Sequence, residues 1–132
     1  MNNKIKLLET SFTDVKLFQI ISYGDNRGSF KEVFNKEISL LTNINFIQDN
    51  ESYSKYGVLR GLHFQKTPFE QSKLVRVSYG AIQDVVVDIR PNSKTYGKWE
   101  SFDLSSDNSC ILLVPKGFAH GFLVLSQEAI VN

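Results

Sequence analysis

The sequence predicts an all-β protein, an antiparallel sandwich or barrel, and three observations carry the prediction. Turn signals recur at short intervals, from Gly24-Asp25-Asn26-Arg27-Gly28 through Asp49-Asn50, Thr67-Pro68, Tyr79-Gly80 and Arg90-Pro91-Asn92-Ser93 to Ser106-Asp107-Asn108 and Pro115-Lys116-Gly117. The runs between them are short and either apolar or alternating. Sustained 3.6-residue periodicity is absent. Ten Phe and five Tyr add aromatic bulk of the kind that pleated sheets accommodate.

In chain order, strands are expected over 17–22, 29–34, 45–49, 57–65, 73–79, 82–89, 98–104, 110–114 and 118–126. Asn35-Lys36-Glu37-Ile38-Ser39-Leu40-Leu41 is the single plausible helical turn. Glu128-Ala129-Ile130-Val131-Asn132 again has the character of a strand. No repeat, low-complexity tract or linker interrupts the pattern, so 1–132 is expected to be one domain, large enough to close a hydrophobic core.

Composition narrows the function. A net charge of +1 gives no reason to expect a nucleic-acid or membrane surface. The start, Met1-Asn2-Asn3-Lys4-Ile5, has no apolar h-region, and no later stretch is long enough to span a bilayer. A soluble cytoplasmic protein is the expectation. Cys110 is the only cysteine, so an internal disulfide and a CxxC zinc site are both excluded. It lies in Cys110-Ile111-Leu112-Leu113-Val114 and is expected to be a small core residue.

The chemistry centres on Gly57-Val58-Leu59-Arg60-Gly61-Leu62-His63-Phe64-Gln65 and on Lys73-Leu74-Val75-Arg76-Val77. Three cationic or titratable groups on β-forming runs are costly unless something anionic meets them. Parity sorts the rest. In 82–90 the even positions put Asp84, Asp88 and Arg90 on one face, expected to look into a polar cavity, while Val85, Val87 and Ile89 make the other face apolar. In 118–126, Phe118, His120, Phe122 and Val124 share a face, which sets His120 among aromatics. Arg60 and His63, three apart, belong on opposite faces of a regular strand. For both to serve one pocket, a bulge or kink must intervene, and Gly61 is the residue that tolerates it.

A histidine with nearby lysine and arginine suits removal of a proton next to a carbonyl, the cations stabilising the enolate oxygen. The same cations suit phosphate, so charge type leaves both readings open. Each histidine could also be a satisfied core residue. A metal site would need a carboxylate such as Asp84 beside the two histidines, neither of which has HxH or HExxH spacing. The glycines form no GxGxxG or P-loop, and a Ser-His-Asp reading lacks its Gly-x-Ser-x-Gly elbow.

Several motifs together resemble those of the dTDP-4-dehydrorhamnose 3,5-epimerases. They are Asp25-Asn26-Arg27-Gly28-Ser29-Phe30-Lys31-Glu32, then Gln48-Asp49-Asn50-Glu51-Ser52-Tyr53-Ser54 with 57–65, then Lys73-Leu74-Val75-Arg76-Val77, 84–90 and Pro115-Lys116-Gly117-Phe118-Ala119-His120-Gly121-Phe122. The likeness runs in order from about residue 10 to the last residue. It implies a cupin-type jelly-roll, needing no metal or other cofactor, usually a homodimer that exchanges N-terminal strands. The reaction it implies is inversion at carbons 3 and 5 of a 4-keto-6-deoxy sugar on a nucleoside diphosphate, dTDP-4-dehydro-6-deoxyglucose above all. By the same resemblance His63 is the base and Lys73 the catalytic lysine near the enolate. His120 and Arg60 line the sugar pocket, Gln48 and Asn50 are polar contacts, and Arg27, Phe30 and Glu32 reach the nucleotide across the dimer. Asp84 is a candidate supporting residue.

The family pattern continues past Asn132 with a tyrosine that returns a proton from the opposite face and an aspartate that pairs with the base histidine. The chain is therefore expected to lack the family's C-terminal segment, as a truncated form or as a naturally short one. Asp84 or Tyr79 are the groups that could stand in. Beside a 3,5-epimerase of a deoxysugar or surface-polysaccharide pathway, three other readings stay open. They are an enzyme that inverts one carbon, a relative acting on a GDP-linked heptose, and a catalytically impaired module that only binds a nucleotide sugar.

Overall fold

The computed structural model describes residues 5–132. Its strands are β1 (Ile5–Leu8), β2 (Lys16–Ile20), β3 (Ser22–Asp25), β4 (Gly28–Lys31), β5 (Ser52–Lys55), β6 (Leu59–His63), β7 (Lys73–Tyr79), β8 (Ala81–Asp88), β9 (Trp99–Ser105), β10 (Cys110–Val114), β11 (Phe118–Val124) and β12 (Glu128–Val131). One helix, α1 (Lys36–Thr42), is present among the described residues. The strands make a six-stranded sheet, β1-β2-β10-β7-β12-β5, and a four-stranded sheet, β6-β11-β8-β9. β3 and β4 form a separate two-stranded hairpin, and every pairing is antiparallel. The architecture is the expected all-β, cupin-like jelly-roll.

Alternation builds the main core between the two larger sheets. Val75 and Val77 of β7, with Leu112 and Val114 of β10, meet Ile82 and Val86 of β8, Phe102 and Leu104 of β9, and Phe118, Phe122 and Val124 of β11. Phe12 closes one end, edge-on to Phe118 at 5.2 Å between centroids. A second cluster lies on the outer face of the six-stranded sheet, where Phe18, Ile20, Ile111 and Leu113 pack under Ile38 of α1. β10 is thus covered on both faces, which is why its sequence is a continuous apolar run. Cys110 is buried there as expected, and burial pushes its thiol up.

At seven residues α1 is too short to persist alone. The Asn35 side chain accepts a hydrogen bond from the Ile38 N–H at 3.0 Å, Asn43 ends the helix in the left-handed region, and Ile38 is fully buried.

The structure corrects several expected elements. Residues 45–49 are not a strand: Ile44 and Phe46 pack into the outer cluster while Ile47 is exposed, so an irregular segment mimics strand alternation. The 17–22 run breaks after Ile20, and Ser22–Asp25 turns away to pair with Gly28–Lys31. β1 and β5, four residues each, carry too little pattern to announce themselves. The even face of β8 is not a polar cavity wall. Ile82, Asp84, Val86 and Asp88 are all fully buried, and the two apolar members belong to the core.

Candidate active site

Gly61 has a φ of +106°, a conformation open to glycine and closed in practice to residues with a side chain. Here the ladder between β6 and β11 shifts register. Phe122 pairs with Arg60 and His120 with His63, so two steps along β11 match three along β6. This is the irregularity that parity required at Gly61. Phe122 and His120 share a face of β11, so their partners Arg60 and His63 come to one face as well. The strands approach closely at this point. A Cβ on Gly61 would stand 2.7 Å from the His120 carbonyl oxygen, and one on Gly121 would stand 2.6 Å from that of Arg60.

His120 is buried, and its Nε2 lies 2.7 Å from Asp84 Oδ2 on the neighbouring strand β8. Burial pushes the Asp84 carboxyl up, and the histidine pulls it back. The second carboxylate oxygen, Oδ1, is buried without a hydrogen-bond partner. On the opposite sheet Lys73 has the parity of Val75 and Val77 and so turns toward the interior, partly buried. Burial lowers its ammonium from the ordinary lysine value.

Arg60 ties two sheet edges together. Its Nε donates to Ser54 Oγ at 2.8 Å and a terminal nitrogen donates to the Tyr53 carbonyl at 3.3 Å, linking β6 to β5. Ser54 is buried on the inward face of β5, and its anchoring role was not read from the sequence. The serine stands between exposed Tyr53 and Lys55, an alternation that could have found it. His63 itself is exposed.

Other expected site residues lie apart. Asp88 and Arg90 share the parity of Asp84 but form a closed network at the other end of β8. Arg90 grips both Asp88 oxygens at 2.9 and 2.8 Å and reaches Asp14 at 2.7 Å, and the Ser93 and Thr95 hydroxyls donate to Asp88 at 2.6 Å. The guanidinium also lies 4.7 Å from the Phe118 ring centroid. This network holds Asp88 far below the usual carboxylate range. Gln48 and Asn50 are exposed and hydrogen-bond each other at 3.0 Å. Arg27, Phe30 and Glu32 belong to the β3–β4 hairpin and the turn after it. Arg27 pairs with Asp25, Phe30 is 65% exposed opposite Tyr23, and Glu32 accepts from Asn35. Arg27 makes no hydrogen bond or ion pair with the His63, Lys73 and His120 group. Among the described residues no three His, Cys, Asp or Glu side chains gather into a metal-ligand cluster, and no helix is long and apolar enough to cross a membrane.

This geometry agrees with comparisons to known proteins. The chain is 50% identical over 128 residues to a dTDP-4-dehydrorhamnose 3,5-epimerase of Escherichia coli, covering 95% of this chain and 69% of that protein. It superposes with a TM-score of 0.90 and 50% identity on the epimerase of Bacillus anthracis solved with TDP and pyrophosphate, covering 96% of this chain and 74% of that one. The Legionella pneumophila epimerase in complex with dTDP-4-keto-L-rhamnose gives a TM-score of 0.91 at 44% identity, covering 96% and 69%. A sequence profile of the family described as dTDP-4-dehydrorhamnose 3,5-epimerase matches residues 9–132. The chain belongs to the dTDP-4-dehydrorhamnose 3,5-epimerase family.

Proposed function

We propose that this protein is an isomerase that epimerises carbons 3 and 5 of a dTDP-linked 4-keto-6-deoxy hexose by proton transfer, without a cofactor. The carrying observation is the β6–β11 register, which sets His63 directly opposite His120 and brings Arg60 to the same face. In this reading His63 takes the proton from a carbon flanking the keto group. The electron pair moves onto the keto oxygen, giving an enolate. Lys73, Arg60 and His120 surround that oxygen with positive charge or hydrogen-bond donors. Both carbons flank one carbonyl, so one enolate-stabilising group serves both. His63 passes the abstracted proton to solvent. A solvent-derived proton delivered to the opposite face of the enolate re-forms the C–H bond and the keto group with the carbon inverted.

Burial supports Lys73 in this role. An ammonium already stripped of part of its hydration interacts strongly with charge that develops beside it. The Legionella relative, solved with a 4-keto sugar on dTDP, supports the substrate class.

The nucleotide end of the substrate is assigned to Arg27, Phe30 and Glu32, with Gln48 and Asn50 as further polar contacts. The hairpin pairs with neither main sheet and leaves Tyr23 and Phe30 exposed, which fits a part that a second copy receives by exchange of N-terminal strands. A homodimer in the cytoplasm, where nucleotide sugars are made, completes the reading. The described residues, 5–132, form one jelly-roll unit in it, and the match spans 69% of the Escherichia coli relative.

The test is deuterium incorporation: the chain is incubated with dTDP-4-keto-6-deoxyglucose in D2O and the mass of the sugar is followed. Uptake at two carbons is the expected result. Uptake at one carbon would reassign the chain as a single-centre epimerase. Binding without uptake would overturn the catalytic reading and leave a nucleotide-sugar-binding module.

A further inference from the structure

Asp84 is fully buried on the inward face of β8, between Ile82 and Val86 of the core. Its one hydrogen bond runs from Oδ2 to His120 Nε2 at 2.7 Å, and Oδ1 has no partner. A carboxylate in such a place is poor value for stability. Replacing a buried polar pair by apolar side chains of similar volume is often neutral or stabilising, because desolvation consumes most of the attraction. The arrangement does accomplish something else. It occupies one ring nitrogen of His120, and the other, Nδ1, makes no hydrogen bond within the described residues.

We propose that Asp84 is a positioning residue of the epimerase site: by accepting a hydrogen bond from His120 Nε2 it fixes the imidazole so that Nδ1 is the nitrogen offered to the bound sugar, across the ladder from His63. The proposal rests on the epimerase reading of this site and deepens it. Asp84 on β8 bonds the ring, His63 stands opposite it on β6 with Arg60 brought to the same face, and Lys73 faces inward from the opposite sheet. Asp84 is the acidic member of this set. It is also the one within hydrogen-bond distance of the ring, so the choice of tautomer falls to it. With Nε2 protonated toward Asp84, Nδ1 accepts a hydrogen bond from a sugar hydroxyl. When the ring carries a second proton, Nδ1 donates to the oxygen on which negative charge develops. Without Asp84 the ring can turn over or exchange tautomers, and the same histidine then presents either nitrogen.

Two measurements on the full chain test this. The first is the nitrogen-15 spectrum of the histidine rings in the unmodified protein near neutral pH. The chain has two histidines, so a His63→Asn sample assigns the His120 signals. The expected result is a protonated Nε2, and an Nε2 that carries no proton overturns the proposal. The second is Asp84→Asn followed by deuterium uptake into the sugar and by nucleotide-sugar affinity. Uptake is expected to slow by more than about tenfold, as happens when a catalytic histidine loses the carboxylate that sets its tautomer. Affinity is expected to stay within about threefold. Unchanged uptake in a folded variant overturns the proposal. If the variant does not fold, the ring spectrum of the unmodified protein decides alone. If the unmodified protein takes up no deuterium while Nε2 is protonated, the epimerase reading fails and the orientation of His120 by Asp84 stands.

Discussion

Gly61 on β6 and Gly121 on β11 lie so close that a Cβ on Gly121 would stand 3.2 Å from the Gly61 Cα and 2.6 Å from the Arg60 carbonyl oxygen. The obstacles are backbone atoms, which cannot swing aside. Gly61 carries a second restriction, since its φ of +106° is strained for alanine. Gly61→Ala is therefore expected to cost about 1–3 kcal/mol of stability and to misplace His63 relative to His120. Urea unfolding reads the first effect and deuterium uptake into the sugar the second. A variant with full uptake would show that the bulge is not what brings the base to the pocket.

His63→Ala separates chemistry from binding. The His63 side chain is exposed and makes no hydrogen bond among the described residues, and alanine keeps the backbone pairing of β6, so the variant should remain folded. Deuterium uptake is expected to vanish while nucleotide-sugar binding, followed by calorimetry, persists largely intact. Lost binding with retained uptake would contradict the base assignment.

Lys73→Met trades activity for stability. Burial lowers the lysine's proton affinity in the folded state, so the unfolded chain binds more protons in the window between the folded value and the ordinary one near 10.4. Stability of the unmodified protein accordingly rises with pH across that window. Methionine keeps the apolar stem and removes the charge. The urea midpoint is expected to rise near neutral pH, and its dependence on pH above neutrality should flatten. Deuterium uptake should fall roughly a hundredfold, the effect of losing about 3 kcal/mol of enolate stabilisation. A lower midpoint would show that Lys73 has a stabilising partner in solution.

Asp88→Asn probes the opposite end of β8. The network of Arg90, Ser93 and Thr95 depresses the folded-state proton affinity of Asp88. A depressed carboxylate stabilises the fold above its unfolded value near 3.9, and the contribution fades as pH falls through the window down to the folded value. Arg90 is about a third exposed, which discounts the attraction. The variant should lose about 2 kcal/mol at pH 7, and the gap to the unmodified protein should close only below about pH 4. Activity per folded molecule is expected to be unchanged. A gap that closes already at pH 6 would assign the titration to another group.

Much of this was legible in the chain because it depends on local pattern. The strands 73–79, 110–114 and the start of β11 at Phe118 are read directly from alternation or from continuous apolar runs between turns. The kink at Gly61 followed from parity alone, since Arg60 and His63 could not otherwise share a face. The partnership of Asp84 with His120 was beyond reach, because it joins strands whose pairing no local signal encodes. The grip of Arg90 on Asp14 and the anchoring of Arg60 by Ser54 depend in the same way on contacts distant in sequence. At 45–49 the pattern misled, because burial in a second, outer layer produces the same alternation as a ladder.

β8 holds two buried aspartates on one face, Asp84 in its middle and Asp88 at its end, and the protein treats them oppositely. Asp88 is saturated with partners and anchors one end of the sandwich, while Asp84 keeps one oxygen idle beside the pocket. A single strand therefore insulates the scaffold from the chemistry. Variation near Asp84 can retune what the pocket handles while the framework survives, whereas variation near Asp88 would be felt as loss of protein before any change in substrate could be tried.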